Sequence, residues 1–327
     1  MDFDGKIKFE DGHEEIIPYG ATLFDVDYAD REDVVSVKFP NSIKYIKYGS
    51  FEECKNLVSI EFPSSLIEIG MDAFAGCESL VSISLPSKLK TIEMQAFAYC
   101  KKLTTVMMSE SVTEIGYSAF TDCTALVDFT FPKNITESPQ EMFVNCESLK
   151  NIVIPSSVVS IGEKAFFGCD NLKIEVDDGN KRFSVRNNCL IENDTIIWGN
   201  KYSTIPCDNR IRKIGSQAFS GVAGLANIII PQNITHIENC AFMGCYDLIN
   251  ITLPNSIQYI GEDSFMMCEI MQTITYKGKE KEWNLIKKGN LGRKLQVKIK
   301  GFLGNKTITV DALDWREKLD LMTKQTK

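Results

Sequence analysis

A repeat solenoid is the fold class this sequence predicts, and three observations predict it. Cysteines recur at Cys54, Cys77, Cys100, Cys123, Cys146 and Cys169, each 23 residues from the last. Prolines keep the same period at Pro40, Pro63, Pro86, Pro132, Pro155, Pro231 and Pro254. The phrase "IGMDAFAGCESL" at 69–80 returns as "IGEKAFFGCDNL" at 161–172. A fixed period of this length is the mark of stacked coils.

One unit, "PSSLIEIGMDAFAGCESLVSISL", shows why. In "LVSISL", Leu80, Ile83 and Leu85 point one way while Ser82 and Ser84 point the other, as a short strand requires. Pro86 ends the strand because proline has no N–H to give a ladder. Gly70 is expected in a turn at positive φ. "MDAFAGC" is too short for an independent helix and is expected as one α or 3₁₀ turn that drops Phe74 and Cys77 inward. Alone such a unit buries nothing. Stacked at about 4.8 Å, its Leu, Ile and Phe columns make one continuous core.

Nine clear units follow from this register, and "IIPYGATLFDVDYADREDVVSVKFP" reads as a degenerate tenth at the front. Residues 1–16 read as an acidic leader, 17–276 as the solenoid with a hairpin insertion at about 174–206, and 277–327 as a basic terminal cap with short helices. In the cap, Trp283 and Ile286 are placed to cover the last coil, and "DALDWREKLDLM", with Asp311 as N-cap, to present Leu319 and Met322. Ser109 replaces a proline, Val222 replaces a cysteine, and Lys47, Glu93, Ser138 and Glu238 are read as standing where glycine is usual.

The recurring cysteine is expected to be structural, a small apolar side chain in a tight column formed by Cys54, Cys77, Cys100, Cys123, Cys146, Cys169, Cys245 and Cys268. Eleven cysteines are an odd number, no CxxC occurs, and only His13 and His236 are available as partners. A zinc site or a Cys/His nucleophile is therefore poorly supported, as is a disulfide framework.

Composition excludes further classes. With 44% hydrophobic and 24% charged residues the chain is neither disordered nor membrane-like, and no apolar run spans a bilayer. The stretch Lys277 to Lys306 holds ten basic residues against Glu280 and Glu282, so the first 276 residues carry a net −16. A body that acidic does not suit nucleic acid. GxSxG, GxxxxGK[ST], HExxH and GxGxxG are all missing, so no catalytic residue, cofactor or metal site is expected. The acidic amino terminus lacks the pattern of a secretory signal.

"LKNIVIPSSVVSIGEKAFFGC", Leu149 to Cys169, resembles the BspA-type leucine-rich repeat of surface proteins in gut and oral bacteria and some parasitic protists. "NKRFSVRNNCLIENDTIIWGNKYSTIP" and "YKGKEKEWNLIKKGN" are similar to that family's hairpin insertion and terminal element. The resemblance covers roughly residues 17–300. It implies a leucine-rich repeat right-handed superhelix, α/β horseshoe-like, here of about nine to ten 23-residue coils. It also implies a non-enzymatic, cell-surface or secreted adhesin that attaches to host matrix proteins or other cells. The alternative is a cytoplasmic protein-interaction scaffold, which free thiols favour. Binding is expected on outward strand positions, with Val35, Val58, Val81, Thr104 and Val127 in one column and Met107 in a second. Trp198 on the hairpin is the other candidate contact.

Overall fold

The computed structural model describes residues 4–271, 273–291, 295–301 and 304–310. It divides into two compact units, Met1–Lys181 and Arg182–Lys327, each a stack of β-coils.

A coil has three sides. The first is a short strand such as Ser82–Ser84 or Thr105–Met107, which sends Ile83 and Val106 into the core and its flanking residues outward. The second is a two-residue strand such as Glu68–Ile69 or Thr91–Ile92, whose isoleucine is buried. The third, carrying the AFxxC phrase, is a run of tight turns rather than an α or 3₁₀ turn. Phe51, Phe74, Phe97 and Phe120 stack there at 5.5, 5.6 and 5.7 Å between successive ring centroids.

The coils are hydrogen-bonded on the turn side as well. Phe51, Phe74 and Phe97 donate their N–H to the carbonyls of Ala73, Ala96 and Ala119 in the next coil, at 2.9, 3.0 and 3.0 Å. Two left-handed residues per coil make this possible, for example Gln95 (φ 55°) and Tyr99 (φ 60°), whose own N–H groups reach Tyr117 and Thr121 of the next coil. A left-handed non-glycine costs about 1–2 kcal/mol, offset here by the interlocking bonds. On the two-residue strands the direction reverses: Gly70, Glu93 and Gly116 donate to Ile46, Ile69 and Ile92 of the preceding coil.

Gly70 does not have the positive φ expected of it. Its reason is close approach, because a Cβ there would lie 2.7 Å from the Ile46 carbonyl oxygen. The same holds at Gly116 and Gly162, where a Cβ would meet the nitrogens of Met94 at 2.3 Å and Gln140 at 2.2 Å. Along the first unit these glycines alternate with Lys47, Glu93 and Pro139, so backbones close up at every second step. Ser138 is not at the glycine position. It pairs with Ile161 in the isoleucine column, and Pro139 holds the glycine position.

Pro139 has a visible effect. The N–H that would donate to the preceding coil, as Gly162 does to Ser138 at 2.8 Å, is missing. Strands Glu114–Ile115 and Glu137–Ser138 consequently fall in separate sheets.

Among the described residues there are about twelve turns in place of nine to ten, seven in the first unit and five in the second, eleven of them marked by a two-residue strand and one by the four-residue strand Thr195–Trp198. The two unforeseen ones come from segments read as insertion and cap. Thr195–Trp198, the last strand of the hairpin, pairs in parallel with Lys213–Ile214, and Lys287–Lys288 pairs in parallel with Tyr259–Ile260. At the amino end, the stretch read as a leader contributes a hairpin, Gly5–Phe9 with Glu14–Ile17, that pairs onto Val34–Lys38. "GKIKF" alternates, burying Ile7 and Phe9 while Lys6 and Lys8 face water. Near the carboxyl end, the helix Glu280–Leu285 buries Trp283, and Leu295–Gly301 with Gly304–Val310 extends the second unit's sheet. The closing helix expected from Asp311, with Leu319 and Met322, lies outside the described residues.

Candidate protein-interaction surface

The outer face of the long strands in the first unit carries most of the expected contact residues. Val35, Val58, Val81, Thr104 and Val127 stand one coil apart. The N–H of Val58 reaches the carbonyl of Val35 at 2.9 Å, and Thr104 reaches Val81 at 2.8 Å. Val58 and Val81 are 46% and 44% exposed, whereas Val35, Thr104 and Val127 are half-buried. Met107 lies three residues further along its strand than Thr104 and is 58% exposed. Val153, two coils on in the Met107 column, is 51% exposed. These apolar side chains interrupt an otherwise polar face that includes Ser59, Ser82, Thr105 and Asn151.

Trp198 belongs to the second unit. It pairs with Leu190 across the hairpin and is half-buried, while Tyr202, just beyond, is 63% exposed. A network fixes this turn: Asn188 donates to the Asn200 side chain at 2.8 Å, and Ser203 donates to the Asn188 carbonyl at 2.6 Å.

The eight recurrent cysteines do more than fill space. Cys77, Cys100, Cys123 and Cys146 each donate S–H to a phenylalanine carbonyl of the preceding coil, those of Phe51, Phe74, Phe97 and Phe120, at 3.2–3.3 Å. Cys54, Cys169, Cys245 and Cys268 do the same to Tyr28, Phe143, Phe219 and Phe242 at 3.0–3.1 Å. Alanine would fit the column but lacks the donor. Burial pushes the thiols up, Cys54 to about 12 and Cys77, Cys100, Cys123 and Cys146 well above the usual thiol range. All eleven cysteines are free thiols, nine of them buried, with Cys240 half-buried and Cys207 exposed.

Thiol titration of the native protein is therefore expected to modify Cys207 at once and Cys240 slowly, with the buried nine reacting only on unfolding. Unfolded thiols ionise near 9 while the buried ones keep their protons, so the native state binds more protons above that pH. Stability, complete below pH 9, should fall as pH rises through the window from 9 towards 12. Flat urea midpoints across that window would contradict the buried ladder.

A groove of about 440 Å³ lies on the other face of the first unit, lined by Thr91, Glu93, Glu114, Tyr117, Glu137 and Gln140 among others. It sits at the sheet break made by Pro139. Sequence reading missed it, although counting back seven residues from Cys146 finds the proline. Among the described residues, no group of three or more His, Cys, Asp or Glu is placed to hold a metal ion. No helix among them is long and apolar enough to cross a membrane.

The model of the BspA type leucine-rich repeat region matches six copies over residues 27–148, 139–196 and 191–288. The chain belongs to the BspA-type leucine-rich repeat family. No curated protein matches it. Among solved structures, it is similar to a leucine-rich repeat protein from Eubacterium ventriosum, with 24% identity and a TM-score of 0.57 over 84% of this chain and 70% of that one. It is also similar to the pneumococcal vaccine antigen PcpA, with 20% identity and a TM-score of 0.51 over 86% of this chain and 73% of that one. A leucine-rich cell surface protein from Faecalibacterium prausnitzii matches at 24% identity and a TM-score of 0.48, over 88% of this chain and 97% of that one. The first two likenesses establish the fold. A BspA-type repeat array is a protein-interaction scaffold, and the stacked coils provide its continuous faces.

Proposed function

We propose that this chain is a non-enzymatic protein-binding repeat protein acting at a cell surface or in secreted form, as an adhesin or host-interaction protein. The observation that carries this reading is the set of exposed apolar side chains in two columns of a polar strand face, Val58 and Val81 in one and Met107 and Val153 in the other. Scattered apolar residues need no explanation, but exposed apolar side chains recurring at matching positions of successive coils are the pattern of an interaction surface. PcpA, a vaccine antigen on the same fold, supports a surface role. The hairpin around Trp198 and Tyr202 is a second contact region in this reading, and host matrix proteins or other cell surfaces are the partners.

Intact producer cells labelled with a membrane-impermeant reagent are expected to yield labelled protein without lysis. Purified Val58→Glu/Val81→Glu/Met107→Glu is expected to keep its circular dichroism and lose at least about tenfold in affinity for whichever matrix protein the wild type binds. Label appearing only after lysis would replace this reading with a cytoplasmic scaffold, which the eleven free thiols favour.

A further inference from the structure

The groove at the Pro139 break has two properties that no other coil junction in the first unit shares. Elsewhere the residue after the two-residue strand donates its N–H to the preceding coil, as Gly70, Glu93, Gly116 and Gly162 do. At Pro139 there is no donor, and no described N–H reaches the carbonyl of Ile115, a residue 4% exposed. A backbone acceptor without a described donor thus belongs to a residue that lines the 440 Å³ groove. The rim is acidic: Glu114 and Glu137 project outward one coil apart, with Glu93 beside them. None of the three forms an ion pair among the described residues. Burial, then the charges of Glu68 and Glu114, raise the Glu93 carboxyl above its usual range.

We propose that this groove receives an arginine side chain presented by a partner protein. A guanidinium is planar and carries five donors, enough to satisfy carboxylates on two coils and one carbonyl together. Lysine, with a compact ammonium, satisfies fewer of them at once. Tyr117, already donating to Glu141 at 2.7 Å, supplies an aromatic wall. The field of the unit favours such a ligand, because residues 1–181 hold 16 Lys and Arg against 30 Asp and Glu. This surface is separate from the valine face, and the inference stands or falls independently of it.

The test uses the full chain and a fluorescent peptide with one arginine between neutral residues, read by anisotropy at low salt. Saturable one-to-one binding is expected, weakened roughly tenfold or more when citrulline replaces arginine, and similarly in Glu114→Gln/Glu137→Gln. The deciding variant is Pro139→Ala, which leaves every charge in place and restores an N–H for the Ile115 carbonyl. It is expected to lose peptide binding, and protection of the new amide from hydrogen exchange reports that the ladder has closed. Undiminished binding by Pro139→Ala with a protected amide overturns the proposal, because charge alone would then be responsible. Equal binding of the citrulline peptide, or binding unaffected by the glutamine pair, overturns it as well.

Discussion

Replacing Phe97 with alanine is expected to lower the unfolding free energy of the first unit by about 3–5 kcal/mol. Phe97 is fully buried and lies between Phe74 at 5.6 Å and Phe120 at 5.7 Å, so truncation removes contacts in two directions. The coils on either side are held by backbone bonds that the substitution does not touch, which hinders collapse of the space. Urea denaturation followed by circular dichroism gives the magnitude. Because each coil contacts only its neighbours, the loss should be local: hydrogen exchange is expected to accelerate in the coils of Phe74, Phe97 and Phe120 before the rest. Uniform acceleration throughout the unit would contradict nearest-neighbour stacking.

Gly116→Ala is expected to cost about 1–3 kcal/mol despite adding a single methyl group. The new Cβ would lie 2.3 Å from the Met94 nitrogen and 2.5 Å from the Glu93 carbonyl carbon, and backbone cannot step aside as a side chain can. Glu93→Ala, at the matching position one coil earlier, is expected to change stability by no more than about 0.5 kcal/mol. Paired thermal melts check the contrast. Equal effects at both positions would mean that the alternation of Gly70, Glu93, Gly116 and Pro139 reflects something other than close approach.

The coil and its period were legible because they depend on inward residues that must repeat. Leu80, Ile83 and Leu85, Phe74 and Cys77 all take the core positions that strand alternation and the AFxxC spacing assign them. What escaped was set by interactions between coils. The thiol of Cys77 looks apolar in sequence, and only the register of the neighbouring coil brings the Phe51 carbonyl to it. Gly70 was read as a turn glycine because its contact, the backbone around Ile46, lies 24 residues away. The first strands were passed over as a leader because "GKIKF" shows its alternation for only five residues before the turn. The groove was missed for a similar reason: Pro139 matters through the bond it withholds from Ile115, and a missing bond leaves no residue type to notice.

The reversed donor directions on two sides of each coil have an electrical meaning. In an α-helix every peptide group points the same way and the dipoles add along the axis. Here the two-residue strands donate backwards, Gly116 to Ile92, while the turns donate forwards, Phe97 to Ala119, so their dipoles along the stack oppose one another. Adding coils to a stack therefore builds up little axial potential from these two sides. Whatever polarity the first unit shows along its stack is written in side chains, such as the 30 acidic groups among residues 1–181, and substitution can rewrite it without disturbing the coils.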